Sequence, residues 1–373
     1  MRLFYVNSQI HSYEKLSDFI NEFNPEKNDL IFTIKPLYEQ FLKSQNLSCD
    51  YIFQEMFGEG EPSDLMIGKI LADINVNKYR RFIGIGGGTI IDISKLLCLK
   101  KIKKTWSVLD MQTNLIKERQ LIIIPTTCGT GSEVTNISVV SFESKKTKKG
   151  IVSDSLYPDH AVLIPELLKA LPYKSFLLSS IDALIHAAES FLAPRSNIYT
   201  DMFCLEAIRN ILTGYMALLD KGLDYRFEIL DQFLTASNLS GIAFNNTGVG
   251  AVHALSYPLG SKYHIAHGES NYIFFVKIFK AYNSLNPLGK INILNKFLSN
   301  ILNINSTNNV YSFLEENIFN KLLLRKNLRD YGVKKEDLKI FTEKVIKEQQ
   351  RLLSNNYVAL SREEIFDVYK SLY

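Results

Sequence analysis

Residues 84–92 read Gly84-Ile85-Gly86-Gly87-Gly88-Thr89-Ile90-Ile91-Asp92, and no other stretch constrains the fold as strongly. The apolar run Arg81-Phe82-Ile83-Gly84-Ile85 leads in and reads as a buried strand; residues 89–99 lead out at helical spacing. A strand that turns through three consecutive glycines into a helix is a βα unit with a very tight turn. Glycines let the backbone approach an anion closely, and the unpaired amides and dipole at the helix start favour a phosphate there. The third glycine of the common dinucleotide fingerprint is replaced by Thr89, so this loop alone leaves a ligand-free turn open.

The neighbouring segments repeat the pattern. Residues 29–34, 50–53 and 121–124 read as further short strands, the last ended by Pro125, with helical spacing over 36–44 and 64–74. Such alternation predicts a parallel sheet with helices on both faces. A second loop, Pro125-Thr126-Thr127-Cys128-Gly129-Thr130-Gly131-Ser132-Glu133-Val134-Thr135, follows the 121–124 strand and is rich in hydroxyls and glycine. Two such loops at adjacent strand ends match the position at which open parallel sheets bind dinucleotides. No base lies near Cys128 in sequence, so a buried thiol is its ordinary reading. The run Lys145-Lys146-Thr147-Lys148-Lys149 reads as a solvated turn whose last lysine faces a cofactor.

From Pro165 the pattern changes to long helical segments, including 179–192, 199–219 and 227–244. The expected architecture is a Rossmann-like α/β dinucleotide-binding domain over residues 1–164 and an all-helical domain over 165–373, with a site in the cleft between them. A hydrophobic share of 46% with a net charge of only +4, from 43 basic and 39 acidic residues, excludes a disordered chain, and the small charge excess argues against a dedicated nucleic-acid binder. No apolar run reaches the roughly 18 residues of a membrane span. The opening residues lack a signal-peptide pattern, and the cysteines (Cys49, Cys98, Cys128, Cys204) are scattered. A cytoplasmic protein with reduced thiols and no membrane partner is therefore expected.

The histidines point to chemistry. There are six, and four gather in the helical half. Asp182 and His186 are four apart, so a helix presents both on one face; His253 and His267 flank a segment broken by Pro258 and Gly260. One carboxylate and three imidazoles suit a divalent transition metal, Fe²⁺ or Zn²⁺. Any one of these histidines alone would more often be a satisfied polar residue. His11 and His160 have no such company and are expected at the surface.

These motifs together resemble the iron-containing (group III) alcohol dehydrogenases: residues 86–92, residues 126–133, Asp182-Ala183-Leu184-Ile185-His186, and His253 with His267-Gly268 stand in that family's order. The resemblance implies Asp182, His186, His253 and His267 as metal ligands. It places the pyrophosphate over Gly86, Gly87, Gly88 and Thr89 and the nicotinamide half near Thr126, Thr127 and Lys149. Asp92, Gly129, Thr130 and Ser132 complete the implied cofactor set. Residues 58–64, 248–258 and 349–353 further resemble the 4-hydroxybutyrate branch of the family. That branch implies reversible reduction of succinate semialdehyde, an aldehyde with a distal carboxylate, by a homodimer or larger homo-oligomer.

Two departures stand out. Many members carry histidine where this chain has Tyr257, so any proton relay falls to Tyr257, His264 or water, with a structural phenol as the ordinary reading of Tyr257. After the first parallel strand, Thr33-Ile34-Lys35-Pro36 offers no carboxylate for a ribose hydroxyl, which leaves NADP open beside NAD. Lys262 and Arg195 are candidates for the substrate carboxylate, with ordinary surface charge as the competing reading. The rival functions are a butanol- or propanediol-type alcohol dehydrogenase, a dehydroquinate-synthase-like lyase using NAD and a metal, and a catalytically silent nucleotide-binding protein.

Overall fold

The computed structural model describes residues 3–100, 115–143, 147–307 and 309–373. The chain forms two compact units, one spanning Tyr5–Pro172 and the other spanning Tyr173–Tyr373 together with Leu3 and Phe4.

The first unit is built on a six-stranded sheet in the order β1-β8-β5-β4-β2-β3. Its strands are β1 (Gln9–Ser12), β2 (Asp29–Thr33), β3 (Asp50–Phe53), β4 (Arg81–Gly86), β5 (Gln120–Pro125) and β8 (His160–Leu163). Every pairing among them is parallel. The apolar runs explain the burial on both faces. Leu121 and Ile123 join Leu30, Phe32 and Phe82 in one core, while Ile122 and Ile124 join Ile31, Ile83 and Ile85 in the other. Period-two alternation thus feeds two cores from one strand. Helices α1 (Leu16–Phe23), α2 (Asp64–Asp73) and α3 (Gly88–Leu97) connect the strands. The order switches at β2, with β3 on one side and β4 on the other. Since β4 and β5 are parallel neighbours, both glycine-bearing loops leave the same edge of the sheet.

Sequence reading missed β1 and β8, and it misassigned part of the lysine run. Thr147–Val152 is not a turn but strand β7, paired antiparallel with β6 (Ile137–Phe142), with Val140 opposite Lys149. Lys148 pairs with Glu61 at 2.6 Å and Lys149 is exposed; Lys145 and Lys146 lie outside the described residues. The first unit also extends past residue 164. After β8, Pro165–Ala170 forms a 3-10 turn whose Leu167 packs into the core of the sheet.

The second unit is helical: α4 (Tyr173–Leu192), α5 (Ile198–Lys221), α6 (Leu230–Thr247), α7 (Ala251–Tyr263), α8 (His267–Leu285), α9 (Lys290–Leu302), α10 (Asp337–Glu348) and α11 (Arg362–Ser371). Asn197 caps α5, accepting from the Tyr199 and Thr200 amides, and the Thr200 hydroxyl in turn accepts from the Asn197 amide. Contrary to the expectation from apolar runs, α4 and α5 are both long and apolar enough to cross a membrane by length and composition. In the folded unit α4 is a core helix: 89% of its most apolar window is buried, and the buried face includes Asp182, His186 and Glu189.

Candidate metal and nucleotide sites

Helix α4 presents Asp182 and His186 one turn apart, as the spacing predicts, and both are buried. His253 comes from the first turn of α7 and His267 is the first residue of α8. One ligand atom from each of the four residues lies within 4.8 Å of the others. The rings pack closely, with His186 stacked 4.7 Å from His253 and 4.5 Å from Phe244.

Local packing makes this convergence feasible. A Cβ on Gly268 would stand 2.6 Å from the Leu178 carbonyl oxygen, so only glycine lets the start of α8 lie this close to α4. Asn271, one turn beyond His267, donates to Asp182 Oδ1 at 2.7 Å. Burial by itself would raise the Asp182 carboxyl, but the three imidazoles and Asn271 outweigh it and hold the group below the ordinary carboxylate range. His253 Nδ1 sits 2.6 Å from Glu189 Oε2, while His253 Nε2 is buried with no hydrogen-bond partner among the described residues. An orphaned imidazole nitrogen beside a carboxylate and two more imidazoles fits a divalent cation, and this donor set accepts Fe²⁺ and Zn²⁺ alike. Sequence reasoning gave no role to Glu189 or Asn271. Helical spacing could have found both, three residues after His186 and four after His267.

Tyr257 and His264 separate. Tyr257 lies one turn after His253 on α7, half-buried, with its ring 6.3 Å from that of His267. His264 is exposed and closes α7 as a left-handed cap with φ of 54°. Among the described residues, the His264 side chain has no hydrogen bond or ring contact. Lys262 is taken up by the buried Asp337, at 2.5 Å, and Arg195 is exposed. The expectation that His11 and His160 are unconnected surface residues is overturned. They meet across β1 and β8, His11 Nε2 3.0 Å from His160 Nδ1, and both are half-buried.

In the first unit the two loops touch. A Cβ on Gly87 would come 3.3 Å from the Thr127 methyl, one on Gly88 would come 3.3 Å from the Thr130 methyl, and the Thr126 amide donates to the Gly86 carbonyl at 3.1 Å. Gly86 is glycine for packing, since a Cβ would stand 2.5 Å from Ile90. The N-cap residue of α3 is Gly87, which has no side chain to cap the helix, and among the described residues Thr127 Oγ1 is buried without a hydrogen-bond partner. A glycine at the helix start beside such a hydroxyl fits the phosphate and ribose oxygens of a dinucleotide. Cys128 is fully buried in the same loop.

Other members of the expected cofactor set are occupied by the protein itself. Thr89 Oγ1 donates to the Gly60 carbonyl at 2.9 Å, and Thr130 Oγ1 accepts from the Ser132 amide at 3.3 Å. Asp92 accepts from Ser132 Oγ and the Val139 amide, both at 2.8 Å. Beneath them the buried Lys95 donates to Ser132 Oγ at 2.7 Å, Thr135 Oγ1 at 2.9 Å and the Ile137 carbonyl at 2.7 Å. Asp92, Lys95 and Ser132 therefore tie α3 to the second loop and hold its shape. Lys95 escaped the sequence reading because an exposed helical lysine looks the same in sequence.

Residues 7–165 match the family model for iron-containing alcohol dehydrogenase, and residues 176–373 match that for the C-terminal part of the Fe-containing alcohol dehydrogenase family. Over 373 residues, all of both chains, the sequence is 49% identical to 4-hydroxybutyrate dehydrogenase of Clostridium kluyveri. The fold is that of an iron-containing alcohol dehydrogenase crystal structure, with a TM-score of 0.82 at 23% identity over 99% of this chain and 98% of that one. It is equally that of the sulfoacetaldehyde reductase from Bifidobacterium kashiwanohense in complex with NAD⁺, with a TM-score of 0.82 at 20% identity over the same shares. A lyase reading does not survive two dehydrogenase models that together span nearly the whole chain. With its hydroxyl- and glycine-lined loops on one sheet edge and its carboxylate–imidazole cluster in a helical unit, the chain belongs to the iron-containing alcohol dehydrogenase family.

Proposed function

We propose that this oxidoreductase interconverts succinate semialdehyde and 4-hydroxybutyrate, using NAD(H) and Fe²⁺. The observation that carries the reading is the 49% identity, end to end, with a 4-hydroxybutyrate dehydrogenase. In this reading Asp182, His186, His253 and His267 hold the metal, which supplies Lewis-acid polarisation of the aldehyde oxygen while the nicotinamide supplies the hydride. The chain's own part is to position and to move a proton. Gly87, Gly88 and the start of α3 bind the pyrophosphate, and Thr127 Oγ1 and Lys149 serve the nicotinamide half. Tyr257, on the ligand face of α7, passes the proton to or from the substrate oxygen, whereas His264 belongs to the helix end. Since Lys262 is engaged by Asp337, Arg195 is the remaining cation of the two first considered for the substrate carboxylate. A homo-oligomer in the cytoplasm is part of the same reading.

Anaerobic turnover of Fe²⁺-loaded protein tests it, with succinate semialdehyde or butyraldehyde and with NADH or NADPH. A much higher kcat/KM for succinate semialdehyde with NADH is expected. Equal or better use of butyraldehyde would exclude the 4-hydroxybutyrate assignment, and Zn²⁺ loading in parallel compares the two metals.

A further inference from the structure

Glu189 is a buried carboxylate, its side chain 1% exposed, that faces two nitrogen donors. One oxygen lies 2.6 Å from His253 Nδ1 and the other accepts from the Val252 backbone amide at 2.7 Å. Val252 lies in the first turn of α7, whose start has no side-chain cap from its own N-cap residue, Gly250. The carboxylate of α4 therefore completes the end of α7 as well as holding its histidine, a placement the helix dipole also favours. Gly250 admits it, because a Cβ there would come 3.3 Å from Glu189 Oε1 and 2.7 Å from Asn356 Oδ1.

This arrangement dictates a tautomer. The Val252 amide can only donate, so one Glu189 oxygen is committed to it. The second oxygen is also an acceptor, so a neutral His253 carries its proton on Nδ1. The bare lone pair is then on Nε2, the buried atom without a hydrogen-bond partner. We propose that Glu189 is a positioning residue that makes His253 a metal ligand by fixing the Nδ1-protonated tautomer and aiming Nε2 at Asp182, His186 and His267. The inference rests on the reading of these four residues as a metal site.

Glutamine is the discriminating substitution because it keeps the size and removes one acceptor. With the oxygen of the introduced amide on the Val252 N–H, its NH₂ group would face Nδ1. His253 would then be protonated on Nε2, with a hydrogen where the lone pair is needed. The reverse orientation would set two buried donors against each other.

The experiment uses full-length apoprotein, wild type and Glu189→Gln. Co²⁺ affinity is read by visible absorption in competition with a chelator, and the tautomer of His253 by long-range NMR of ¹⁵N-histidine-labelled protein. Co²⁺ binding by Glu189→Gln should weaken about 10- to 100-fold, with the tautomer reversed in the apoprotein and NADH binding and apoprotein melting retained. Wild-type Co²⁺ affinity in Glu189→Gln, or an unchanged tautomer, would overturn the proposal. Failure of the wild type to bind Co²⁺ would overturn the metal-site reading and this inference with it. If Glu189→Gln does not fold, Glu189→Asp takes its place. It keeps two acceptor oxygens and should preserve the Nδ1-protonated tautomer, whereas loss of that tautomer would refute the role.

Discussion

Gly268 offers the sharpest test of how the helical unit assembles its ligands. It follows His267 in the first turn of α8, where that helix crosses α4. In Gly268→Ala the new methyl carbon would lie 2.6 Å from the Leu178 carbonyl oxygen and 3.2 Å from its carbon. Ordinary contact begins near 3.4 Å, so the start of α8 must retreat about 0.8 Å from a backbone that cannot swing aside. His267 is carried along, away from Asp182 and His186 on the helix it is pushed from. Metal–ligand distances hold to about 0.2 Å, and a misplacement near 1 Å at a reacting centre costs on the order of 100-fold. Gly268→Ala should therefore lose Co²⁺ affinity measurably and about 100-fold in kcat/KM, with an overpacking cost of roughly 1–3 kcal/mol in thermal unfolding. Gly214→Ala is the control: its methyl would meet the Phe233 ring at 2.5 Å, crowding of a buried side chain instead of a backbone, with no ligand residue among the contacts. Wild-type Co²⁺ affinity in Gly268→Ala, or an equal loss in Gly214→Ala, would refute the reasoning.

Three further outcomes follow from the geometry. Thr127→Val should weaken NADH binding roughly 3- to 10-fold, the value of about one hydrogen bond, without lowering the melting temperature, since Thr127 Oγ1 has no hydrogen-bond partner among the described residues; unchanged NADH affinity would remove it from the cofactor site. Tyr257→Phe should cut kcat by about 100-fold or more while leaving Co²⁺ affinity alone, and His264→Ala should change neither; steady-state kinetics over pH decides which residue relays the proton. Burial pushes Lys95 down to about 8 from its usual 10.5, so between those values the folded protein binds fewer protons than the unfolded chain. Its burial penalty is thus greatest below pH 8 and fades as pH rises toward 10.5, and denaturant unfolding of wild type should gain stability across that window relative to Lys95→Met. A pH-independent difference between the two would show that Lys95 is not the titrating group.

What could be read in advance divides along physical lines. The β4 and β5 strands were legible because a run such as Leu121-Ile122-Ile123-Ile124 can only be satisfied by burial on both faces. Gln9–Ser12 was not, because it is an edge strand with Gln9, Ile10 and Ser12 exposed, and such a segment looks like a polar loop until β8 is set beside it. Thr147–Val152 was hidden similarly, its lysines resembling a solvated turn although pairing with Ile137–Phe142 makes it a strand. In the helical unit, Asp182 and His186 are encoded by spacing on one helix, but their convergence with His253 and His267 depends on contacts between α4, α7 and α8 that no periodicity records.

The same division explains why positioning residues were harder to see than ligands. A metal ligand is recognisable by its type, and four such residues drew notice together. Glu189, Asn271, Lys95 and Asp92 are common residue types whose roles arise from what faces them. Glu189 could have been an exposed helical glutamate, yet it lies buried against two nitrogen donors. Lys95 could have been a solvated lysine, yet its amine reaches three oxygens beneath the second loop. Burial removes water as an alternative partner, so each of these groups has one arrangement that satisfies it, and that arrangement fixes the neighbour that does the chemistry. Substitutions that keep shape but exchange donor for acceptor, such as Glu189→Gln, should therefore damage the metal site more than substitutions of exposed charges such as Arg195→Gln damage that same site. Metal titration of the two variants side by side checks the ordering, and a larger loss of Co²⁺ affinity in Arg195→Gln would reverse it.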